Sequence, residues 1–245
     1  AFMLAADTTL TGGGSVVVNG SYPGKLGGTG TLTNSDNTIK GDGMLGEGLT
    51  ALNNAGTIEG RFSFPAPTTN SGRITGTALE FTKALVNRGT ISTDSATAGA
   101  GITNAAGATF SIVGSARSGA TVLSGTFANA GLLATTQAAP NFWTLSHGAT
   151  AVQTAAAGDV IQMSADFLNT STQAARWNTA TAALKFSGAR EHRFQLAGRN
   201  LGTAATGWAG NFAWGELRID YGATVSLSSG RTDGTAAAGY LGGLV

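Results

Sequence analysis

A fixed order of polar, small and apolar positions recurs through the middle of the chain. An asparagine is followed two residues later by glycine and four residues later by isoleucine, as in Asn54-Ala55-Gly56-Thr57-Ile58. Successive asparagines lie 16, 17 and 17 residues apart (70 − 54, 87 − 70 and 104 − 87). A period near this length is typical of a solenoid, in which every repeat forms one coil. The repeated positions are Asn54, Asn70, Asn87 and Asn104, then Gly56, Gly72, Gly89 and Gly107, and then Ile58, Ile74 and Ile91.

The stretches between these phrases alternate between apolar and polar residues, as where Phe62 and Phe64 flank Ser63. Period-two alternation over short spans predicts strands with one face inward. The sequence therefore predicts an all-β fold, namely a single-stranded parallel β-helix, or β-solenoid. Regular coils are expected in residues 1–160. Residues 161–245, where the phrase disappears, are expected to continue the same solenoid with longer coils.

The phrase also predicts how the interior is filled. Inward asparagines at one corner would hydrogen-bond along the axis as a ladder, and the isoleucines would form an aliphatic column. Glycine reaches the positive φ that sharp corners often need, and asparagine tolerates it, so we expect both at the turn. Phe110 follows Gly107 by three residues instead of two and is expected out of step. Coils of about 17 to 20 residues rising ~4.8 Å each would give ~12 to 14 coils and a rod of roughly 60 Å.

Composition and charge limit the classes of partner that the protein is expected to bind. The chain has 42% hydrophobic and only 11% charged residues, which differs from a disordered chain. Its formal net charge is +1, with no basic run that would follow a phosphate backbone, so nucleic-acid binding is not expected. A charge near zero removes repulsion between copies and favours self-association.

No transmembrane segment is predicted either. No charged residue occurs between Arg117 and Asp159, but Ser, Thr, Gly, Asn and Gln interrupt every apolar run there. Residues 1–6 are too short for a signal peptide and look like the start of a mature or excised chain. The absence of cysteine excludes a disulfide framework and a cysteine-based zinc site.

The Asn-x-Gly-x-Ile coils, such as 54–58 and 70–74, resemble the passenger domains of bacterial autotransporters and filamentous haemagglutinin-like surface proteins. The stretch from Gly215 to Leu227 is similar to the last coils of such proteins. The resemblance covers about two thirds of the chain. It implies a right-handed parallel β-helix, export, and an extracellular or cell-surface location.

Carboxylates offer one candidate for chemistry. β-Helix enzymes that cleave acidic polysaccharides cluster several aspartates on neighbouring coils, for acid–base work or to hold Ca²⁺. Asp36 and Asp42 with Asn34 and Asn37 form the nearest such group, but their spacing does not match a calcium loop. Solvated corner residues are the preferred interpretation and a weak cation site the alternative, so no catalytic residue, metal or cofactor is predicted.

Histidine and arginine supply two further candidates. His147 has no Asp or Glu within ten residues, so it is interpreted as a surface or coil-corner histidine. The cluster 190–193 (Arg-Glu-His-Arg) is the densest in charge, and Asp166, Arg199 and Asp220 are expected near it. A mutually neutralised exposed face is the preferred interpretation, and contact with an anionic glycan is the alternative.

Aromatic residues and threonines could form contact surfaces. Tryptophan faces suit stacking on carbohydrate rings, but they equally suit sealing the wider C-terminal coils or burial at an interface. The stretch Thr29-Gly30-Thr31 suggests an ice-binding face, although a strict Thr-x-Thr repeat on every coil is missing. The four tryptophans are Trp143, Trp177, Trp208 and Trp214.

Three functions are compatible with these features. Neither terminus shows an amphipathic helix that would cap the coil stack, so the leading hypothesis is a secreted, non-enzymatic structural protein. It would assemble with copies of itself, through the ends or faces of the solenoid, into an extracellular fibre, sheath or surface layer. The alternatives are a monomeric adhesin or glycan-binding passenger and a polysaccharide-degrading β-helix enzyme.

Overall fold

The computed structural model describes residues 1–19, 24–114, 121–202 and 210–245. They form a parallel β-solenoid of about nine turns, with 60% strand and 1% helix. The predicted fold class is therefore confirmed, while right-handedness stays a prediction. None of the helical residues in the described ranges belongs to a segment long and apolar enough to cross a membrane.

Short strands follow one another along the whole described chain. Up to residue 98 they are β1 (Phe2–Leu4), β2 (Thr8–Leu10), β3 (Ser15–Val18), β4 (Gly24–Gly28), β5 (Thr31–Asn34), β6 (Thr38–Glu47), β7 (Ala51–Asn54), β8 (Thr57–Phe64), β9 (Thr68–Asn70), β10 (Arg73–Phe81), β11 (Leu85–Asn87) and β12 (Thr90–Ala98). The later strands are β13 (Ile102–Asn104), β14 (Thr109–Val113), β15 (Val122–Asn129), β16 (Leu132–Thr136), β17 (Asn141–His147), β18 (Val152–Ala155), β19 (Val160–Met163), β20 (Phe167–Asn169), β21 (Thr179–Phe186), β22 (Glu191–Leu196), β23 (Gly198–Arg199), β24 (Trp214–Ile219), β25 (Thr224–Ser229) and β26 (Ala237–Ala238). A 3₁₀ turn, η1 (Ala174–Arg176), precedes β21.

The strands form three parallel stacks, one on each side of the solenoid. The first stack contains β2, β5, β7, β9, β11, β13 and later β20, β22 and β25. The second contains β3, β14, β16 and β18, and the third contains β1, β4, β19, β21 and β24. Some strands bend at a corner and belong to two stacks. The second and third stacks share β6, β8, β10 and β12, and the third and first stacks share β15 and β17. Stacking is continuous across residue 160, because β19 pairs with both β17 and β21.

Coil length varies more than the repeat phrase indicates. Equivalent asparagines in the middle of the rod are 16 or 17 residues apart, but Asn34 and Asn54 are separated by 20 residues and Asn104 and Asn129 by 25. The predicted count of 12 to 14 coils is therefore wrong, because most coils are longer than the central three. About nine turns with a rise of ~4.8 Å each give a rod of roughly 40 Å.

Like side chains lie above one another in the core. A file of fully buried isoleucines, Ile39, Ile58, Ile74 and Ile91, runs along the second stack. Phe110 is the next member, paired with Ile91, so the expectation that it falls out of step is wrong. The extra residues before Phe110 are accommodated in a turn. A 3.0 Å hydrogen bond from the Ala108 N–H to the Ala105 carbonyl oxygen closes this turn.

Candidate functional site

The asparagines of the repeat form one buried hydrogen-bonded ladder. The Nδ2 of Asn54 donates to the Oδ1 of Asn70 at 2.8 Å, and Asn70 donates in the same way to Asn87 at 2.9 Å. Asn34 precedes this series and Asn129 follows Asn104, each linked at 2.8 Å. Asn129 belongs to a later copy of the phrase, whereas Asn34 has no such glycine after it and was not identified as a ladder member from the sequence.

Each ladder amide also satisfies backbone groups of the corner. Asn54 Nδ2 lies 3.2 Å from the carbonyl oxygen of Gly56 and 3.3 Å from that of Arg73 in the next coil. A buried amide without partners would destabilise the fold by several kcal/mol, roughly 2–7 by transfer scales. The ladder therefore allows fully buried polar side chains to hold successive corners in register.

The glycines of the phrase serve a different purpose from the one predicted. Gly56, Gly72 and Gly89 do not have positive φ, and no asparagine in the described ranges has positive φ either. Instead, a Cβ on Gly72 would lie 2.1 Å from the carbonyl oxygen of Gly56, and one on Gly89 would lie 2.1 Å from that of Gly72. Close approach of consecutive backbones excludes a side chain here. Among the four glycines of the repeat, only Gly107 has the predicted positive φ, at +81°.

His147 continues the ladder beyond Asn129. Its ring is 1% exposed, so the surface interpretation is wrong and the corner position holds. Asn129 Nδ2 lies 3.1 Å from His147 Nδ1, and an amide N–H donates only, so the histidine accepts there and carries its proton on Nε2. Burial lowers the pKa of His147 to about 3. A neutral imidazole thus occupies, at residue 147, the ladder position that an asparagine amide occupies in the preceding coils.

Gln153 interrupts the apolar file that begins with the isoleucines. It pairs with Leu133 and is fully buried. Neither of its amide atoms, nor His147 Nε2, forms a hydrogen bond within the described part of the molecule. This polar group in the core could not be predicted from the sequence, because the pattern of an alternating strand does not show whether a single glutamine points inward or outward.

The four residues considered for a cation site serve local structure. Asn34 and Asn37 are buried, and Asn34 Nδ2 donates to the Asn37 carbonyl at 2.9 Å. Asp36 accepts from the backbone N–H of Gly12 at 3.2 Å, while Asp42 accepts from the Arg61 N–H at a different corner. Across the described ranges, no group of three or more His, Cys, Asp or Glu side chains is placed to hold a metal ion.

The charged cluster at residues 190–193 is divided between core and surface. His192 is buried, with Nδ1 2.7 Å from the Ala165 carbonyl oxygen, whereas Arg190 and Arg193 are exposed. Neither guanidinium forms an ion pair with any residue that the structure describes, so mutual neutralisation of this exposed face by direct contacts is not seen, and neutralisation of the face as a whole stays a prediction. Asp166 is near, as expected, and accepts from the Arg193 backbone N–H at 2.9 Å.

Two more charged residues were expected beside this cluster and have other partners. Asp220 lies 3.0 Å from Lys185 Nζ, and the Arg199 N–H donates to Asn211 at 2.8 Å.

The three tryptophans within the described ranges do not form a common platform. Trp177 and Trp214 are 7% and 2% exposed and seal the wide C-terminal coils, so they are not available as a contact surface. Trp143 is 46% exposed, with the Arg190 guanidinium carbon 5.0 Å from its ring centroid. Trp208 lies outside the described residues.

No protein-family profile, curated protein or solved structure matches this chain.

Proposed function

We propose that the protein is a structural β-solenoid that assembles end to end with copies of itself in an extracellular fibre, sheath or surface layer. The observation that carries this proposal is the exposure of core-directed apolar side chains on the outermost coils. Phe2 is paired in register with buried Leu26, yet is 67% exposed. Leu227 is paired with buried Phe194, yet is 65% exposed.

Four of the outermost described strands also have one hydrogen-bonding edge without a partner strand. Among the described strands, β25 pairs with β22 alone, and β1, β2 and β3 pair only with β4, β5 and β6. Unpaired N–H and C=O groups on a strand edge are a template for another strand. Because the first stack is parallel, β2 of one copy placed on the β25 edge of another would continue that stack in the same direction, whereas the outer edge of β24 in the third stack is already paired with residues 240–245.

The net charge of the chain also favours association of copies. A formal net charge of +1 gives little repulsion between copies. The extracellular location is supported by the resemblance of the Asn-x-Gly-x-Ile coils to bacterial surface proteins, and the absence of enzymatic activity remains a prediction.

Charge introduced at the edges tests end-to-end assembly. Phe2→Lys and Leu227→Lys should each block one end, so that each variant alone stays monomeric while the wild type forms concentration-dependent oligomers or filaments. A mixture of the two variants should form dimers and nothing larger, because one intact end of each remains. Sedimentation velocity and negative-stain electron microscopy measure these outcomes.

Val113→Lys is the matched control. Val113 is 38% exposed on β14, which lies between β12 and β16, so the new charge would lie on the side of the rod. This variant should assemble like the wild type. A wild-type chain that stays monomeric at every accessible concentration, or oligomers that Leu227→Lys leaves unchanged, would refute end-to-end assembly.

A further inference from the structure

A groove on the outer surface of the C-terminal coils has no role in the stacking of the solenoid. Its volume is about 550 Å³, and it is lined by Asp166, Arg190, Glu191, Arg193 and Ser226. These residues come from three successive coils of the first stack, where Phe167 pairs with Phe194 and Arg193 with Ser226. The groove therefore follows the rod axis, a direction that suits an extended chain ligand.

The acidic side chains of the groove are held by neutral donors. Asp166 accepts from the Arg193 backbone N–H at 2.9 Å, and Glu191 Oε1 accepts from the Ser226 hydroxyl. The Arg193 guanidinium has no hydrogen bond or ion pair among the described residues. Two guanidinium groups and two carboxylates thus line the same open space without forming direct ion pairs with one another.

The aromatic ring of Trp143 borders this group. The Arg190 guanidinium carbon lies 5.0 Å from the ring centroid, a distance typical of a cation–π contact, and the Arg190 Nε donates to the Glu191 carbonyl at 3.3 Å. These contacts hold the Arg190 side chain at the rim. About half of the Trp143 surface remains exposed, at 46%, beside the position an incoming ligand would take.

We propose that this groove binds a polysaccharide that contains uronate residues. Guanidinium groups match the planar geometry of a carboxylate, so Arg190 and Arg193 would bind the sugar carboxylates. Asp166 and Glu191 would accept hydrogen bonds from sugar hydroxyls, and the free part of the Trp143 ring would contact a sugar face. A more densely charged, sulfated chain is disfavoured, because the two carboxylates of the groove would repel it.

Titration calorimetry with oligogalacturonate tests the proposal, with the fully methyl-esterified oligomer as a neutral probe of the same backbone. The wild type should bind the charged oligomer, bind its ester at least about tenfold more weakly, and lose affinity as salt rises. Arg193→Gln should weaken binding about tenfold, and the double Arg190→Gln, Arg193→Gln variant should abolish it.

Arg73→Gln is the matched control, because Arg73 is an exposed arginine on the central coils and far along the chain from the groove. Its affinity should equal that of the wild type within about twofold. All substituted side chains are exposed, so melting temperatures should stay unchanged and report intact folding. Equal binding of the ester, unchanged affinity in both groove variants, or tighter binding of dextran sulfate than of oligogalacturonate would overturn the proposal.

Discussion

The central coils and the coils after Asn129 keep the same parallel stacking with different interiors. Between Asn54 and Asn104 the coils have 16 or 17 residues, every corner carries the same amide, and the second-stack file is isoleucine. From His147 to Asn169 the coil has 22 residues (169 − 147). A wider coil leaves more interior to fill, and here aromatic rings fill it.

Aromatic contacts in the later coils are edge-on or tilted, and their angles vary. His147 and Trp177 rings are 5.0 Å apart at 75°, and Phe167 and Trp214 rings are 5.8 Å apart at 84°. In the central coils Phe64 and Phe81 stack at 4.8 Å and 12°. Repetition of identical short coils therefore gives files of identical contacts, whereas longer coils depend on individually fitted packing. This comparison predicts that equivalent substitutions differ sharply between the two regions.

The largest difference is expected at the corner glycines. Gly72→Ala would place a Cβ 2.1 Å from the Gly56 carbonyl oxygen, so consecutive coils must separate. We expect a loss of about 3 kcal/mol, at the upper end of the usual cost of overpacking, in the free energy of unfolding. Gly148→Ala, beside His147, would place its Cβ 3.7 Å from the Asn129 carbonyl oxygen, an ordinary contact, and should change stability by less than about 0.5 kcal/mol.

Urea unfolding followed by far-UV circular dichroism measures both variants. Gly107→Ala adds an intermediate case, because its Cβ meets nothing within 4 Å but its φ is +81°. It should cost roughly 1–2 kcal/mol through backbone strain alone. If Gly72→Ala costs no more than Gly107→Ala, the close approach at Gly72 is relieved without separating the coils, and the steric explanation is wrong.

The second difference concerns pH, because the ladder becomes titratable only at His147. Its folded pKa is about 3, below the value near 6.5 expected in an unfolded chain. The contribution to stability is complete above about pH 6.5 and is lost as pH falls, since only the unfolded state takes up the proton. Between pH 6.5 and pH 4 the loss should be about 3 kcal/mol.

His147→Asn isolates this effect, because it extends the amide ladder and removes the titrating ring. Carboxylates and His192 are common to both proteins, so the difference between their pH profiles reports His147 alone. The variant should lose clearly less stability than the wild type from pH 6.5 to pH 4 in thermal unfolding. Parallel profiles would mean that the ring is protonated without cost in the folded state.

The sequence contained enough information for the fold, much of the ladder and the charged residues of the groove, but not for Ser226 or for the shape of the groove. Repeated Asn54, Asn70 and Asn87 specify both a period and an inward direction, because identical side chains at one corner pair only when the coils stack. The role of Gly72 was misjudged, because spacing reveals that a glycine is required but not whether φ or close approach requires it.

Long-range contacts explain what sequence reasoning missed. His147 lacks an acidic neighbour in sequence, and its true partner, Asn129, is 18 residues away in the coil before it. The lengths of the coils outside residues 54–104 also could not be predicted from the Asn-x-Gly-x-Ile repeat. Arg193 and Ser226 come together only through the register of β22 and β25, 33 residues apart (226 − 193).

The smallest difference is expected for the ladder residues themselves. Asn70 donates to Asn87 at 2.9 Å and accepts from Asn54 at 2.8 Å, so Asn70→Ala removes two amide links and leaves buried partners on both sides. We expect a loss of about 2 kcal/mol. Asn169, at the equivalent corner of a later coil, accepts a 2.9 Å bond from the Ser171 N–H, so Asn169→Ala should cost about 1 kcal/mol.

Hydrogen exchange measured by mass spectrometry separates local from global effects of these two variants. In Asn70→Ala, protection should fall in the neighbouring strands β7 and β11 as well as in β9, because the ladder couples adjacent coils. In Asn169→Ala, the loss should be confined to the turn that contains Ser171. Equal costs, or a purely local response in Asn70→Ala, would show that the amides act one corner at a time, and the contrast between the two regions would then arise from coil length and core packing alone.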